Sequence, residues 1–416
     1  MKNNIIKQFS FYEWLNYIEK FRINIEHRKH NVICIARKLG ILPLNAFIYI
    51  VGGTNGKGTT CFVLEKILLG LGYRVGLYTS PHLFQYTERL RINGRELNKN
   101  LHVLSFIRIE QARDTLSLTY YEFITLSALY LLRYSELDVI ILEVGLGGRL
   151  DATNIINPNI SIITNIGLDH IEILGNSRDL IGFEKAGILR KNKIAIVSEK
   201  NLPRSLKYII KKDRVRLKLI NKDWFYKKYN NSWAFISKEF HCLNLPIPKV
   251  SLIDTATALA ALSESKCFIN KNVVKHCISQ ISIPGRFQIL SYNPKVILDV
   301  AHNFHATTYL SKQLIDIKGF SRIYAIVGIL KNKDIKNVFL PLISVVDYWY
   351  CITLQTNRSV SAEIIVQYLP IGSSIICSST KHAWNKIQNI VSTRDIIIAF
   401  GSFFTVYEMY KMLKFK

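Results

Sequence analysis

The chain has 416 residues, 49% of them aliphatic or aromatic and 20% charged, a balance that excludes a disordered chain and leaves room for two or three domains. Its formal net charge is +25, yet the basic residues are scattered and approach clusters only at 207–218 and 222–228. With no RNA- or DNA-binding motif beside them, compositional drift accounts for the charge better than a nucleic-acid partner does.

Seven cysteines, an odd number with no C-x-x-C pair, point to a reducing compartment, the cytoplasm by default, and away from a zinc site. No apolar run is long enough to span a bilayer, and the stretch Met1–Lys7 lacks the core of a signal peptide, so no membrane is expected as a partner.

The first element, Phe47–Val51, reads as a buried strand. It runs into Gly52-Gly53-Thr54-Asn55-Gly56-Lys57-Gly58-Thr59, and a helix is expected over Thr59–Leu71. Glycines allow backbone N–H groups to turn inward around a phosphate, Lys57 adds a cation, and the helix points its positive end at the same spot. The spacing departs from the common phosphate-loop pattern, whose first glycine would fall at Val51. The stretch still predicts binding of a nucleoside triphosphate.

Strands follow at Val75–Tyr78, Val139–Val144, Ile160–Thr164 and Ile194–Val197, alternating with helical patterns at Tyr120–Tyr134 and Arg178–Leu189. This alternation predicts an α/β fold with a mostly parallel sheet of the P-loop type, covered by helices on both faces. Lys218–Leu245 reads as short antiparallel strands turning at Tyr229-Asn230-Asn231, and Ser251–Ser263 returns to helix. Pro284-Gly285 punctuates the pattern, dividing it into domains 1–284 and 285–416. Beyond it, strands at Lys295–Val300, Ile323–Gly328, Tyr348–Leu354, Ile375–Ser378 and Asp395–Phe400 predict a smaller Rossmann-like α/β domain.

Open α/β sheets bind ligands at the carboxyl ends of their strands. There the chain carries Thr79-Ser80-Pro81-His82-Leu83, then Glu143-Val144-Gly145-Leu146-Gly147-Gly148-Arg149-Leu150-Asp151-Ala152-Thr153-Asn154, then Asp169-His170. Glu184-Lys185-Ala186-Gly187-Ile188 lies on the next helix. Together with the phosphate loop, and in this order, these motifs resemble the folylpolyglutamate synthase/dihydrofolate synthase family of the Mur ligase superfamily. Pro284-Gly285-Arg286-Phe287, Asp299-Val300-Ala301-His302-Asn303, Gly328–Asp334 and Phe400-Gly401-Ser402-Phe403 extend the resemblance from about Trp14 to Val406. Its most specific block is Glu143–Asn154, and Tyr86–Arg91 and Leu118–Phe123 look most like the bacterial bifunctional branch.

The resemblance implies a Mur ligase-like central domain and a C-terminal ligase domain acting as an ATP-dependent amide ligase. Its substrates would be ATP, L-glutamate, 7,8-dihydropteroate and reduced folates, coupled through an acyl phosphate by a monomer. It assigns ATP to Thr54, Asn55, Gly56, Lys57, Gly58, Thr59, Asp254, Arg286 and Asp299, the last two closing on the nucleotide from the hinge and second domain. It assigns two magnesium ions to Ser80, Glu143 and His170, and pteroate to Glu26, His27, Arg28, Lys29, Thr119, Tyr120, Tyr121, Glu122, Leu150, Asp151 and Ala152. Lys57 and Lys185 are the implied catalytic residues. Lys185 would be carbamylated by carbon dioxide, which requires a neutral amine and hence a lowered pKa.

Three departures stand out. His27-Arg28-Lys29 occupies the place of an apolar Leu-Gly-Leu turn. Asp254 replaces an asparagine, losing the ability to donate a hydrogen bond when ionised. Phe304 and Phe404 replace a proline and a histidine. Two other readings compete: a Mur-type ligase acting on a cell-wall nucleotide precursor, against which Leu150–Asn154 speaks, and a basic RNA-binding module.

Overall fold

The computed structural model describes residues 8–21, 28–265 and 267–414. Two compact units result, Met1–Ile281 and Ser282–Lys416, so the division falls three residues ahead of the one expected from Pro284-Gly285.

The first unit is built on an eight-stranded sheet. Its strands are β1 (Phe47–Gly52), β2 (Val75–Tyr78), β3 (Leu90–Ile92), β4 (Arg95–Glu96), β5 (Val139–Glu143), β6 (Ile160–Ile163), β7 (Ile194–Val197) and β8 (Arg216–Leu219), in the order β4-β3-β2-β5-β1-β6-β7-β8. Pairing is parallel across β2-β5-β1-β6-β7-β8, whereas β3 pairs antiparallel with both β2 and β4. The inner strands are near-continuous Ile, Val and Leu runs because helices cover both faces and no alternate position reaches water. Register sets Val51 beside Glu143 and Gly52 beside Ile163, so the carboxyl ends of β2, β5, β1 and β6 are neighbours. Every motif at those ends is thereby gathered at one edge.

A three-stranded antiparallel sheet of β9 (Trp224–Lys228), β10 (Ser232–Ser237) and β11 (His241–Pro246) belongs to the same unit. The second unit carries β12 (Gln288–Tyr292), β13 (Lys295–Leu298), β14 (Ile323–Val327), β15 (Tyr348–Ile352), β16 (Ser374–Cys377) and β17 (Ile396–Phe400) in the order β12-β13-β17-β14-β15-β16. All but the β12 edge run parallel, over a core that includes Phe339, Trp349 and Phe400.

The structure departs from the sequence reading at a few element ends. The helix after β1 spans Lys57–Gly70, opening at Lys57 because Gly56 takes the left-handed N-cap conformation (φ 81°) that a glycine adopts without strain. Arg216–Leu219 joins the main sheet alongside β7 instead of the antiparallel set. The short edges β3, β4 and β12 carry polar, mixed sequences with little apolar signal of their own. Among the described residues no helix is long and apolar enough to cross a membrane.

Ile50 lies fully buried in β1, the strand flanked by β5 and β6. Ile50→Ala is expected to lower the unfolding free energy by about 2–5 kcal/mol through the cavity it leaves, as measured by hydrogen exchange of the β1 amides under native conditions. A loss well below 1 kcal/mol would mean that β1 is not packed as described.

Candidate active site at the carboxyl edge of the first sheet

The loop leaving β1 is stitched to the loop leaving β6. Thr54 N–H donates to the Asn165 carbonyl at 3.0 Å, and Asn55 N–H donates to Asn165 Oδ1 at 3.0 Å. Asn165 Nδ2 and Thr164 Oγ1 both donate to the Asn55 carbonyl, and Gly167 N–H donates to Thr54 Oγ1. Two glycines make the approach possible. Gly53 (φ 147°) has no room for a Cβ against the Thr164 hydroxyl, and Gly56 has none against the Asp254 carboxylate. The N-cap of the helix that begins at Lys57 is Gly56, so the cap residue supplies no side-chain acceptor and the positive end of the helix faces the loop. Lys57 Nζ curls back onto the carbonyls of Gly53 and Thr54 at 3.1 and 3.3 Å, within the loop that a phosphate would fill. Gly58 and Thr59 form the first turn, Thr59 being buried.

Glu143 ends β5, is buried, and accepts a hydrogen bond from Ser80 N–H at 3.0 Å through Oε2. His170 adopts a left-handed backbone (φ 52°, ψ 43°) as it caps the short helix Ile171–Leu174, three residues beyond the Gly167 that bonds Thr54. Ser80 and Glu143 are hard oxygen donors at neighbouring strand ends, a chemistry that fits a magnesium-type ion. Among the described residues no group of three or more His, Cys, Asp or Glu is placed to hold a metal by itself.

Lys185 lies near the end of the helix Arg178–Ala186 and is 3% exposed. Burial, reinforced by the charge of Lys57 and opposed by Asp169, brings its pKa down to about 7. A large share of this amine is therefore neutral near physiological pH.

The expected pteroate positions divide by role. Thr119 and Glu122 form a reciprocal cap at the start of the helix Tyr120–Arg133, with Thr119 N–H donating to Glu122 Oε2 at 2.8 Å. Asp151 is buried and accepts four hydrogen bonds inside its own loop, from the N–H groups of Gly145, Leu146 and Thr153 and from the Thr153 hydroxyl. Its carboxylate holds that loop in shape. Tyr120 is half-buried, Tyr121 packs its ring on Gly145, Leu150 is exposed and Ala152 is buried. Glu26 and His27 lie outside the described residues, and Arg28 opens the helix Arg28–Lys38. Lys29 is half-buried, and burial with the charges of Arg190 and Arg149 pushes its pKa down.

In the second unit, Asp299 is half-buried and accepts N–H groups from Phe287 and Ala301 at 2.7 and 2.8 Å. Burial raises its pKa, opposed by the charge of Arg286, whose guanidinium lies 5.6 Å from the Phe403 ring centre. Sequence reasoning did not single out Asn165, Thr164 or Arg89 for a role. Asn165 was legible only as a strand-end residue, and a clamp between loops has no local signature.

Residues 51–290 match the Mur ligase middle domain family, and residues 285–403 match the Mur ligase glutamate ligase domain. A dihydrofolate synthase/folylpolyglutamate synthase from Buchnera aphidicola subsp. Baizongia pistaciae is 52% identical over 415 residues, covering 99% of this chain and 97% of that protein. The chain belongs to the dihydrofolate synthase/folylpolyglutamate synthase family. The family's Escherichia coli K12 member is 43% identical over 96% of this chain and 94% of its own length. The structure of E. coli FolC in complex with DHPP and ADP is similar with a TM-score of 0.95 at 42% identity, covering 98% of both chains. The Yersinia pestis bifunctional enzyme complexed with AMPPNP and Mn is similar with a TM-score of 0.94 at 41% identity, covering 98% of this chain and 99% of that one.

Beside the phosphate loop lies Asp254, buried in the first turn of the helix Leu252–Ser263 and pressed against Gly56. A carboxylate there repels a polyphosphate that an amide would tolerate. Asp254→Asn is expected to tighten ADP binding by about three- to ten-fold, read by calorimetry. Unchanged or weaker binding would show that the carboxylate does not act on the nucleotide.

Proposed function

We infer that the chain is an ATP-dependent amide ligase that adds L-glutamate to 7,8-dihydropteroate and to reduced folates. The observation that carries this reading is the phosphate loop, clamped to the β6 loop and set beside the Ser80–Glu143 pair at one sheet edge. A carboxylate resists attack by an amine because its leaving group would be oxide. Transfer of the ATP γ-phosphoryl group to a carboxylate oxygen gives an acyl phosphate and ADP. The glutamate nitrogen then attacks the acyl carbon, phosphate departs with the bonding electrons, and a proton leaves the nitrogen. Phosphoryl transfer depends on positioning and on neutralising charge, which the positive helix end and Lys57 provide. The cell-wall alternative has no support from the full-length relatives, which carry the folate ligase name.

The finer assignments are proposals. Thr54, Asn55, Gly56, Lys57, Gly58 and Thr59 hold the triphosphate, with Asp254, Arg286 and Asp299 as further nucleotide positions. Ser80, Glu143 and His170 would hold two magnesium ions, which when bound offset phosphate charge. Tyr120, Tyr121, Leu150 and Ala152, with the 26–29 segment, contact the pteroate, while Thr119, Glu122 and Asp151 shape the walls of its site. The first domain, 1–284, binds ATP and pteroate, and 285–416 completes the ligase. Seven free thiols suit a cytoplasmic enzyme, acting as a monomer without a nucleic-acid partner.

Purified protein given ATP, glutamate and either dihydropteroate or tetrahydrofolate is expected to release phosphate and form the glutamylated product. Phosphate release that ignores both acceptors would sink the reading. Lys57→Ala is expected to lower kcat by about 10²–10³-fold with the fold intact by circular dichroism.

Lys185 is proposed to be carbamylated. Its neutral nitrogen attacks the carbon of CO2 and loses a proton, leaving a carbamate anion near Lys57. With a pKa of about 7, the amine is mostly neutral above that pH and mostly ammonium below it. The adduct is therefore expected at pH about 8 in bicarbonate and lost at pH about 6, as read by native mass spectrometry. A bare amine at the higher pH would refute it.

A further inference from the structure

Arg89 presents an unusual electrostatic situation. It ends the short helical turn Tyr86–Arg89, directly before β3, and β3 pairs with β2 so that Leu90 lies opposite Tyr78. The Arg89 carbonyl accepts Thr79 N–H at 2.9 Å, fixing the backbone one residue from Ser80. Its side chain is therefore rooted at the same sheet edge as the Ser80–Glu143 pair.

That side chain is 8% exposed. Its Nε donates to His82 Nδ1 at 2.8 Å, and its guanidinium carbon lies 6.0 Å from the centre of the Tyr120 ring. Among the described residues neither terminal nitrogen has a hydrogen-bond acceptor, and no carboxylate forms an ion pair with it. Other arginines nearby are matched: Arg91 pairs with Glu65 at 3.0 Å and Arg149 with Glu184 at 2.8 Å. A guanidinium withdrawn from water without an acid is costly, whereas its planar fork suits a carboxylate. The bond to His82 fixes the plane of that fork and leaves both terminal groups available.

We propose that Arg89 receives the α-carboxylate of a folate acceptor, making it a specificity residue for the second of the two ligations. This rests on the folate ligase reading above. Dihydropteroate carries a single carboxylate, the one to be phosphorylated. A folate carries two, on its glutamyl group. The γ-carboxylate stands at the end of the side chain and reaches the phosphoryl donor, while the α-carboxylate stays ionised and must leave water without being activated. Arg89, buried, rooted one residue from Ser80 and unpaired with an acid among the described residues, meets that need. The aromatic ring of Tyr120 lies on its other side, where the flat remainder of the acceptor can pack.

The test compares two acceptors and one analogue. In Arg89→Gln, the KM for tetrahydrofolate is expected to rise about ten- to a hundred-fold relative to the change for dihydropteroate, the loss of one charge-assisted pair. Arg89→Lys, which keeps the charge without the fork, is expected to fall between the two. Wild-type enzyme tested with the α-carboxamide of tetrahydrofolate needs no variant to fold. It is expected to show a similar KM increase, with no further loss when the Gln variant meets the amide. Equal effects of Arg89→Gln on both acceptors, or equal handling of the acid and α-amide by wild type, would overturn the assignment. Turnover of neither acceptor by wild type would instead overturn the ligase reading on which it stands.

Discussion

The site depends on the pairing of β1 with β5 on one side and β6 on the other. Parallel register between these strands brings Val51, Glu143 and Ile162 to the same level, so the loops that follow leave from one edge. Asn165 and Thr164 then close on the Asn55 carbonyl, and Thr54 exchanges hydrogen bonds with the Gly167 backbone. Each bond is modest, about 0.5–1.5 kcal/mol net. Their joint effect is to hold a loop with outward-facing N–H groups in one shape before any nucleotide arrives. Preorganisation of this kind spares the enzyme the reordering of dipoles during phosphoryl transfer.

Charge placement follows from the same edge. Lys57, Lys185 and Arg89 sit close to it, with Glu143 buried among them. The group is not uniform. Lys57 is tied to loop carbonyls, Lys185 is deep enough that burial brings its pKa to about 7, and Arg89 is held by its bond to His82. One edge thus contains basic residues in three different surroundings.

Some residues that the family pattern marks as ligand-binding have structural work to do here. Asp151 satisfies four donors in its own loop, and Thr119 with Glu122 caps the helix that carries Tyr120 and Tyr121. Substituting them would disturb substrate binding through loop and helix geometry, without requiring a direct contact. Asp254 differs again, since it sets a carboxylate against the phosphate loop.

The amino-acid sequence by itself determined the two parallel sheets. Buried parallel strands are runs of Ile, Val and Leu bounded by glycine turns, a signal local enough to place β1, β2, β5, β6 and β7 and, in the second unit, β13 to β17. It also determined the phosphate loop, because glycine, lysine and hydroxyl residues had to follow one another at a strand end. Tertiary structure alone decided the rest. That Asn165 clamps Asn55, 110 residues away in sequence, follows from sheet order, which no local pattern encodes. The edge strands β3, β4 and β12 are set by neighbours and not by their own mixed composition. The pKa of Lys185 and the isolation of Arg89 are likewise properties of burial, and burial is a sum over residues that meet only when the chain has folded.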